Sequence, residues 1–140
     1  MHVERQLHRG PEEESKPTAD PKLLEDRYKL IFYVPQSHLE AVKEAVFAAG
    51  AGTFPGGKYE KCCFESIGTG QFLPVAEKGA NPTIGEKEKG KEEFRLERVL
   101  EVRCEVLCCG RECLVRSVEG LRKAHPYEEP AYEAYKMEAL

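Results

Sequence analysis

A short segment near the C-terminus carries the side chains best suited to chemistry. It reads, in order, His125, Pro126, Tyr127, Glu128, Glu129 and Pro130. An imidazole and carboxylates within about one turn of chain are ligand types for a divalent ion or a polar small molecule. The alternative is a structural corner, because Pro126 ends a helix, Tyr127 buries its ring and Pro130 introduces a strand. His125, Tyr127, Glu128 and Glu129 are therefore candidate ligand-binding residues.

A glycine-containing loop offers a second candidate binding element. In the segment 79–85, Gly79 permits close approach of the backbone to a ligand and Asn81 can supply an amide. A tight surface turn explains the same residues equally well. The pattern is not a phosphate-binding P-loop, because neither the Gly-Lys-Ser/Thr signature nor its helix follows.

The six cysteines suggest thiol chemistry only at one position. Cys62, together with His125 and Glu128, forms a hypothetical zinc or copper site if the folded sheet brings the three side chains together. A buried strand thiol is the simpler interpretation of Cys62. The remaining group, Cys104, Cys108, Cys109 and Cys113, lacks the Cys-x-x-Cys pairs of a zinc finger and is interpreted as small apolar filler.

Composition narrows the class of protein. A chain of 140 residues fits one domain, and its net charge of −4 with a pI near 5.7 gives no cationic field for nucleic acid. No apolar run approaches the roughly 18 residues that span a bilayer, and the N-terminus is polar. We expect a cytoplasmic protein with no membrane segment and reduced thiols.

The order of elements predicts the fold. Residues 1–26 are polar, acidic and proline-containing, as in a disordered tail, and residues 27–140 are expected to form one domain. A strand over 28–34 precedes a helix with Ser37 and Glu40 as a capping box. Strands at 59–67 and 71–75, joined through 68–70 as a hairpin, then precede a long loop at 76–92.

The second half of the chain repeats this pattern. Alternating apolar residues predict a strand within 94–107, and a helix over about 111–123 carries Leu114, Val115, Val118 and Leu121 on one face. A final strand is expected at 131–137. The order strand, helix, strand, strand, helix, strand is that of an α+β ferredoxin-like sandwich, with two helices covering one face of an antiparallel sheet.

Six short stretches in chain order resemble the inserted domain of the NIF-three-like family, proteins often called GTP cyclohydrolase I type 2 homologues. They are Tyr33-Val34-Pro35; Gly50-Ala51-Gly52; Tyr59 with Cys62 and Phe64; Gly68-Thr69-Gly70 with Phe72 and Pro74; Gly79 to Pro82 with Ile84-Gly85; and His125 to Tyr132. The resemblance covers about four fifths of the chain and implies a stand-alone relative of that insert.

The resemblance implies a CutA/PII-like module that associates as a homotrimer. The metal-bearing halves of the longer family members are not matched, so their two-metal centre is not expected here. The leading hypothesis is a non-catalytic binding or regulatory module for a divalent metal or a small polar ligand. Two alternatives remain: a metal-dependent hydrolase or cyclohydrolase, or an accessory domain of one, and a structural protein-interaction module.

Overall fold

Four strands and two α-helices follow one another along residues 25–140, the part of the chain that the computed structural model describes. In chain order they are β1 (Arg27–Pro35), α1 (Leu39–Ala48), β2 (Phe64–Phe72), β3 (Glu97–Cys109), α2 (Arg111–Ala124) and β4 (Tyr132–Lys136). The predicted tail over residues 1–26 lies almost entirely outside the described residues.

The strands form one antiparallel sheet in the order β2-β3-β1-β4. The two central strands, β1 and β3, run the length of the sheet, with Phe32 opposite Cys104 on one side of the ladder. On its other side β1 pairs with the short strand β4, so that Phe32 also lies opposite Tyr132. This is the predicted ferredoxin-like sandwich, which the structure confirms.

Alternate residues of the central strands build the core. Leu30, Phe32 and Val34 on β1 are fully buried, as are Cys104 and Cys108 on β3. Because side chains point to opposite faces at successive positions of a strand, these residues share one face. The helices cover that face with Val42, Val46, Leu114 and Leu121. The core therefore lies between the sheet and the two helices.

The opposite face of the sheet carries a polar network instead of a helix layer. Ile31 at its centre is only 5% exposed. Around it the Tyr33 hydroxyl donates to Glu133 at 3.5 Å, Tyr135 donates to the same carboxylate, and Arg103 pairs with a neighbouring glutamate. Long polar side chains thus shield the apolar centre of this face.

The predicted hairpin through 68–70 is wrong. Phe64 to Phe72 form a single continuous strand, and residues 59–63 precede it without strand pairing. Gly70 lies inside this strand because the Glu101 side chain crosses it: a Cβ added at Gly70 would stand 1.9 Å from Glu101 Oε1. A glycine inside a strand often marks such a close approach, whereas the glycines at 68 and 70 favour a turn when the sequence is considered alone.

The predicted capping box at Ser37 is also wrong. Residues Gln36–His38 form a 3-10 turn, and no side chain caps α1. The Ser37 hydroxyl instead contacts Nδ1 of His38 at 2.9 Å. On α2, Leu114 and Leu121 are buried as expected, but Val115 is 47% exposed because the helix turns it away from the sheet.

The long loop connecting β2 to β3 occupies residues 73–96. It contains a 3-10 turn at Ala76–Lys78 and an isolated bridge between Lys87 and Phe94. It is thus longer than predicted, since β3 begins at Glu97. Among residues 25–140, the helices are all too short or too polar to cross a membrane.

We expect Leu121→Ala to lower the free energy of unfolding by about 2–5 kcal/mol, because it opens a cavity at a fully buried position. Urea unfolding followed by circular dichroism measures this. Val115→Ala is the matched control on the same helix, and about 0.5 kcal/mol or less is expected there. Equal losses in the two variants would contradict the described packing of α2.

Candidate functional site

His125 is the first residue after α2 and is held by both ring nitrogens. Its Nε2–H donates to the backbone carbonyl of Tyr33 at 2.7 Å, and its Nδ1 accepts the backbone N–H of Tyr127 at 3.1 Å. These two partners define the neutral Nε2–H tautomer, since a carbonyl can only accept and an amide can only donate. Neither nitrogen is left for a metal ion.

The surroundings of His125 also favour its neutral form. The side chain is 6% exposed, and burial lowers its pKa; the bond to Tyr33 opposes that change and the charge of His38 adds to it. If Nδ1 were protonated, its proton would face the proton of the Tyr127 backbone N–H, and that hydrogen bond would be lost. His125 therefore acts as a structural bracket that ties the C-terminal segment to β1.

Tyr127 follows His125 by two residues, and its ring lies near the rings of His125 and Phe72. The ring centroids are 4.9 Å from His125 and 6.1 Å from Phe72. Its hydroxyl is buried and makes no hydrogen bond of good geometry within residues 25–140. Burial raises the pKa of Tyr127 to about 12, and the charge of the Glu101 carboxylate and a polar contact with it, too poorly aligned for a well-formed hydrogen bond, add to this.

The carboxyl group of Glu101 lies beside the Tyr127 hydroxyl. It is half-buried, and burial raises its pKa while Tyr127 partly offsets the change. Because Gly70 carries no side chain, the Glu101 carboxyl group can lie across β2 toward Tyr127. Sequence reasoning missed Glu101, since an acidic residue in an alternating strand predicts only a solvent-facing position.

Two hydrogen bonds join the glycine-containing loop to the C-terminal segment. The Asn81 N–H donates to Glu128 Oε2 at 2.8 Å, and the Thr83 hydroxyl donates to the carbonyl of Pro126 at 2.5 Å. Gly79 provides the left-handed turn, with φ of 83°, that leads into this loop. Two of the sequence-predicted elements are therefore neighbours, although Asn81 contributes its backbone and not its side-chain amide to this contact.

Between these elements lies a cavity of about 570 Å³, within the usual size range of small-molecule sites. Gly79, Tyr127, Glu128 and Glu129 line it, whereas Asn81 and His125 support it from outside. Its apolar wall consists of Phe72, Leu73, Pro74, Val75, Pro82 and Ile84. The charged groups facing it are Glu101, Glu128, Glu129 and Lys78.

Cys62 does not join this site. Its backbone N–H donates to the Gly52 carbonyl, and the Gly52 N–H donates to Leu107, which pairs with Lys29 on β1. His125 instead contacts Tyr33, four residues further along that strand and roughly 13 Å away. Within one chain, the structure therefore does not bring Cys62 together with His125 and Glu128.

A second cleft of about 890 Å³ opens at the start of α2. Cys109 and Cys113 line it, and both Cys108 and Cys113 lie within 3.9 Å of the Ser117 hydroxyl. Hydrogen bonding from Cys108 lowers the pKa of Cys113. None of the six cysteines, all of which lie within residues 25–140, forms a disulfide. We assign the candidate site to the first cavity, because there an unbonded buried hydroxyl and several carboxylates converge.

Curated relatives match most of this chain. The GTP cyclohydrolase 1 type 2 homolog of Halalkalibacterium halodurans is 42% identical over 117 residues, 84% of this chain and 28% of its own length. The corresponding protein of Mycobacterium tuberculosis is 42% identical over 112 residues, which cover 80% of this chain and 27% of that protein. No protein-family model matches the chain.

Solved structures give the same result. A Bacillus cereus protein related to NIF3 superposes with a TM-score of 0.62 and 36% identity, covering 81% of this chain and 26% of that one. The periplasmic divalent cation tolerance protein CutA from Archaeoglobus fulgidus superposes with a TM-score of 0.52 over 80% of this chain and 84% of its own, at 14% identity.

The chain thus has a small α+β ferredoxin-like fold similar to that of CutA. More specifically, the chain is homologous to one segment of the NIF3-related proteins named GTP cyclohydrolase 1 type 2 homologs. It spans 28% of the length of the first of these relatives. The family resemblance in the sequence is confirmed.

The bracket formed by His125 predicts a pH dependence of stability. The folded protein binds a proton on His125 less tightly than the unfolded chain does, so the stabilisation is present above the ordinary pKa of about 6.5 and is lost as the pH falls below it. The slope contributed is at most about 1.4 kcal/mol per pH unit. Urea unfolding between pH 7.5 and pH 5 measures it.

His125→Gln, which cannot titrate in this range, should unfold with a shallower pH dependence than the unmodified protein. The exposed His38 supplies the comparison: His38→Gln keeps both hydrogen bonds of His125 and removes only the smaller contribution of the His38 charge, so most of the pH dependence should remain. An unchanged pH dependence in His125→Gln would show that the folded state does not discriminate against the charged imidazole.

Proposed function

We propose that this domain is a non-catalytic, oligomeric binding or regulatory module that holds a small polar ligand in the 570 Å³ cavity. The observation that carries the proposal is the Tyr127 hydroxyl, which is buried beside Glu101 and lacks a well-formed hydrogen bond within residues 25–140. An unbonded buried hydroxyl costs stability, and a ligand donor or acceptor would remove that cost.

The charge of the cavity favours a cationic ligand. Three carboxylates, those of Glu101, Glu128 and Glu129, line it, against one ammonium group from Lys78. The rings of Phe72 and Tyr127 add aromatic surface, which attracts guanidinium and ammonium groups. A ligand with a guanidinium or primary amine head and a short apolar body fits both features. A divalent metal bound by these carboxylates is the second form of the proposal.

The same charge argues against GTP turnover by this domain. The relatives carry GTP cyclohydrolase in their name, but this chain corresponds to about a quarter of their length. A triphosphate entering an acidic cavity would meet repulsion from three carboxylates. We therefore prefer a binding role to a hydrolase or cyclohydrolase. Cysteines without disulfides, as found within residues 25–140, fit a reducing compartment such as the cytoplasm.

We further propose that the domain is a homotrimer. Two apolar side chains on the outer half of the β2–β3 pair, Ile67 at 66% and Leu100 at 58% exposure, lie on the same face near each other. Within residues 25–140, β2 and β4 are the edge strands, and the outer side of each makes no strand pairing. Symmetric association would cover apolar surface and edges of this kind. A structural protein-interaction role is the alternative use of the same surface.

Titration with agmatine, a guanidinium and amine probe, should raise the melting temperature of the full chain. A ligand at about 100 times its Kd stabilises the folded state by about 2.7 kcal/mol, or several degrees for a domain of this size. Zinc and copper salts test the metal form of the proposal, in which Glu101→Gln must reduce the shift, and GTP tests the hydrolase alternative. Differential scanning fluorimetry provides the measurement.

Two variants locate the binding. Tyr127→Phe should weaken agmatine binding, because it removes the buried hydroxyl beside Glu101 that a ligand would contact. Glu101→Gln should also weaken agmatine binding, because it removes a negative charge that attracts the cationic probe. Glu138→Gln, outside the cavity, is the control. No shift with agmatine, zinc or copper would contradict the binding proposal, and turnover of GTP would overturn the non-catalytic assignment.

Ile67→Lys should dissociate the trimer, because it places a charge in the apolar patch. Size-exclusion chromatography with light scattering gives the mass directly. Val115→Lys, at an exposed apolar position on α2, serves as the matched control and should remain trimeric. A monomeric unmodified protein would refute the trimer and favour the structural protein-interaction role.

A further inference from the structure

A cluster of two thiols and a carboxylate lies apart from the cavity, near the start of β2. The possible ligand atoms of Cys63, Glu65 and Cys104 all lie within 4.8 Å of one another. The cavity is lined by Gly70 and Glu101. Glu65 lies five residues before Gly70 on β2, so the cluster is roughly 16 Å from the cavity along that strand. It was not anticipated from the sequence, where Cys62 was the metal-ligand candidate.

Strand geometry explains the cluster. Glu65 on β2 is the direct cross-strand partner of Cys104 on β3, so their side chains share one face. Cys63 lies just before β2 and packs against the core on the same side of the sheet. This is the face covered by α1, from which Lys43 reaches Glu65 at 2.6 Å. Cys62, one residue away, points elsewhere.

We propose that Cys63, Glu65 and Cys104 form a site for a single thiophilic divalent cation such as Zn²⁺. Thiolate sulfur binds zinc at about 2.3 Å and carboxylate oxygen at about 2.0–2.2 Å, so ligand atoms around one ion stand roughly 3.5–3.8 Å apart. A contraction of about 1 Å from the described spacing is sufficient. Cys63 is half-buried and Glu65 is 34% exposed, which leaves an open side for a water ligand.

The charges balance in both states of the site. Without metal, both thiols are neutral and the Glu65 carboxylate pairs with the Lys43 ammonium. Binding of Zn²⁺ releases one proton from each thiol to solvent, so two thiolates, one carboxylate and the ion sum to −1, which the Lys43 ammonium neutralises. No electron transfer or further reactant is involved.

Lys43 is suited to this role as a permanent cation. Burial lowers its pKa, but bonds to Glu65 and Glu40 raise it more, so the net pKa lies above the ordinary value. Burial raises the pKa of both thiols, and the Lys43 charge counteracts this at each.

Co²⁺ titration of the reduced full chain tests the site. Binding to two thiolates should produce a sulfur-to-cobalt charge-transfer band that saturates at one ion per chain and is abolished by added Zn²⁺. Cys63→Ser and Cys104→Ala should lose the band or weaken binding by more than the roughly 10- to 100-fold that loss of an outer partner costs. Since Cys63 is half-buried, Cys63→Ser is not expected to impair folding.

Neighbouring cysteines provide the controls. Cys62→Ser should keep the band at full intensity, because Cys62 donates to the Glu60 carbonyl outside the cluster. The proposal is overturned if the unmodified protein gives no band, or if the band survives in Cys63→Ser. A band lost instead in Cys113→Ser would place the metal at the second cleft. None of these results depends on whether agmatine binds the cavity.

Discussion

The hydrogen bond from His125 Nε2 to the Tyr33 carbonyl is the contact on which the candidate site depends. It joins the end of α2 to the end of β1 and leaves Nδ1 to accept the Tyr127 N–H, so one imidazole sets the path of the C-terminal segment. Tyr127 then reaches Phe72, and Glu128 reaches the loop at Asn81. Three separate parts of the chain meet because this corner is held.

The sheet separates two kinds of chemistry. At the end near Glu101, carboxylates and aromatic rings surround a cavity suited to a small cationic ligand. Beneath α1, Cys63, Glu65 and Cys104 group through strand alternation and cross-strand pairing. The two clusters share β2 and β3. Gly70 is needed at one end because Glu101 lies across it.

Periodicity predicted the fold because the core is periodic: Leu30, Phe32 and Val34 alternate on β1, and α2 repeats at helical spacing. The errors arose where tertiary contacts override local preference. Gly70 reads as a turn residue but accommodates Glu101. His125 reads as a metal ligand, yet backbone groups engage both of its ring nitrogens. The sequence favours Cys62 over Cys63 as a metal ligand, because only the strand register shows which thiol lies beside Glu65 and Cys104.

The most direct test of this account is the protonation state of His125, read from the ¹⁵N chemical shifts of its imidazole at neutral pH with and without saturating Zn²⁺. We predict a neutral ring with the proton on Nε2 in both conditions, because the Tyr33 carbonyl and the Tyr127 amide occupy both nitrogens. A ring protonated on Nδ1, or one whose nitrogens shift on zinc binding in a Cys63→Ser background, would contradict the bracket and return His125 to the role of a metal ligand.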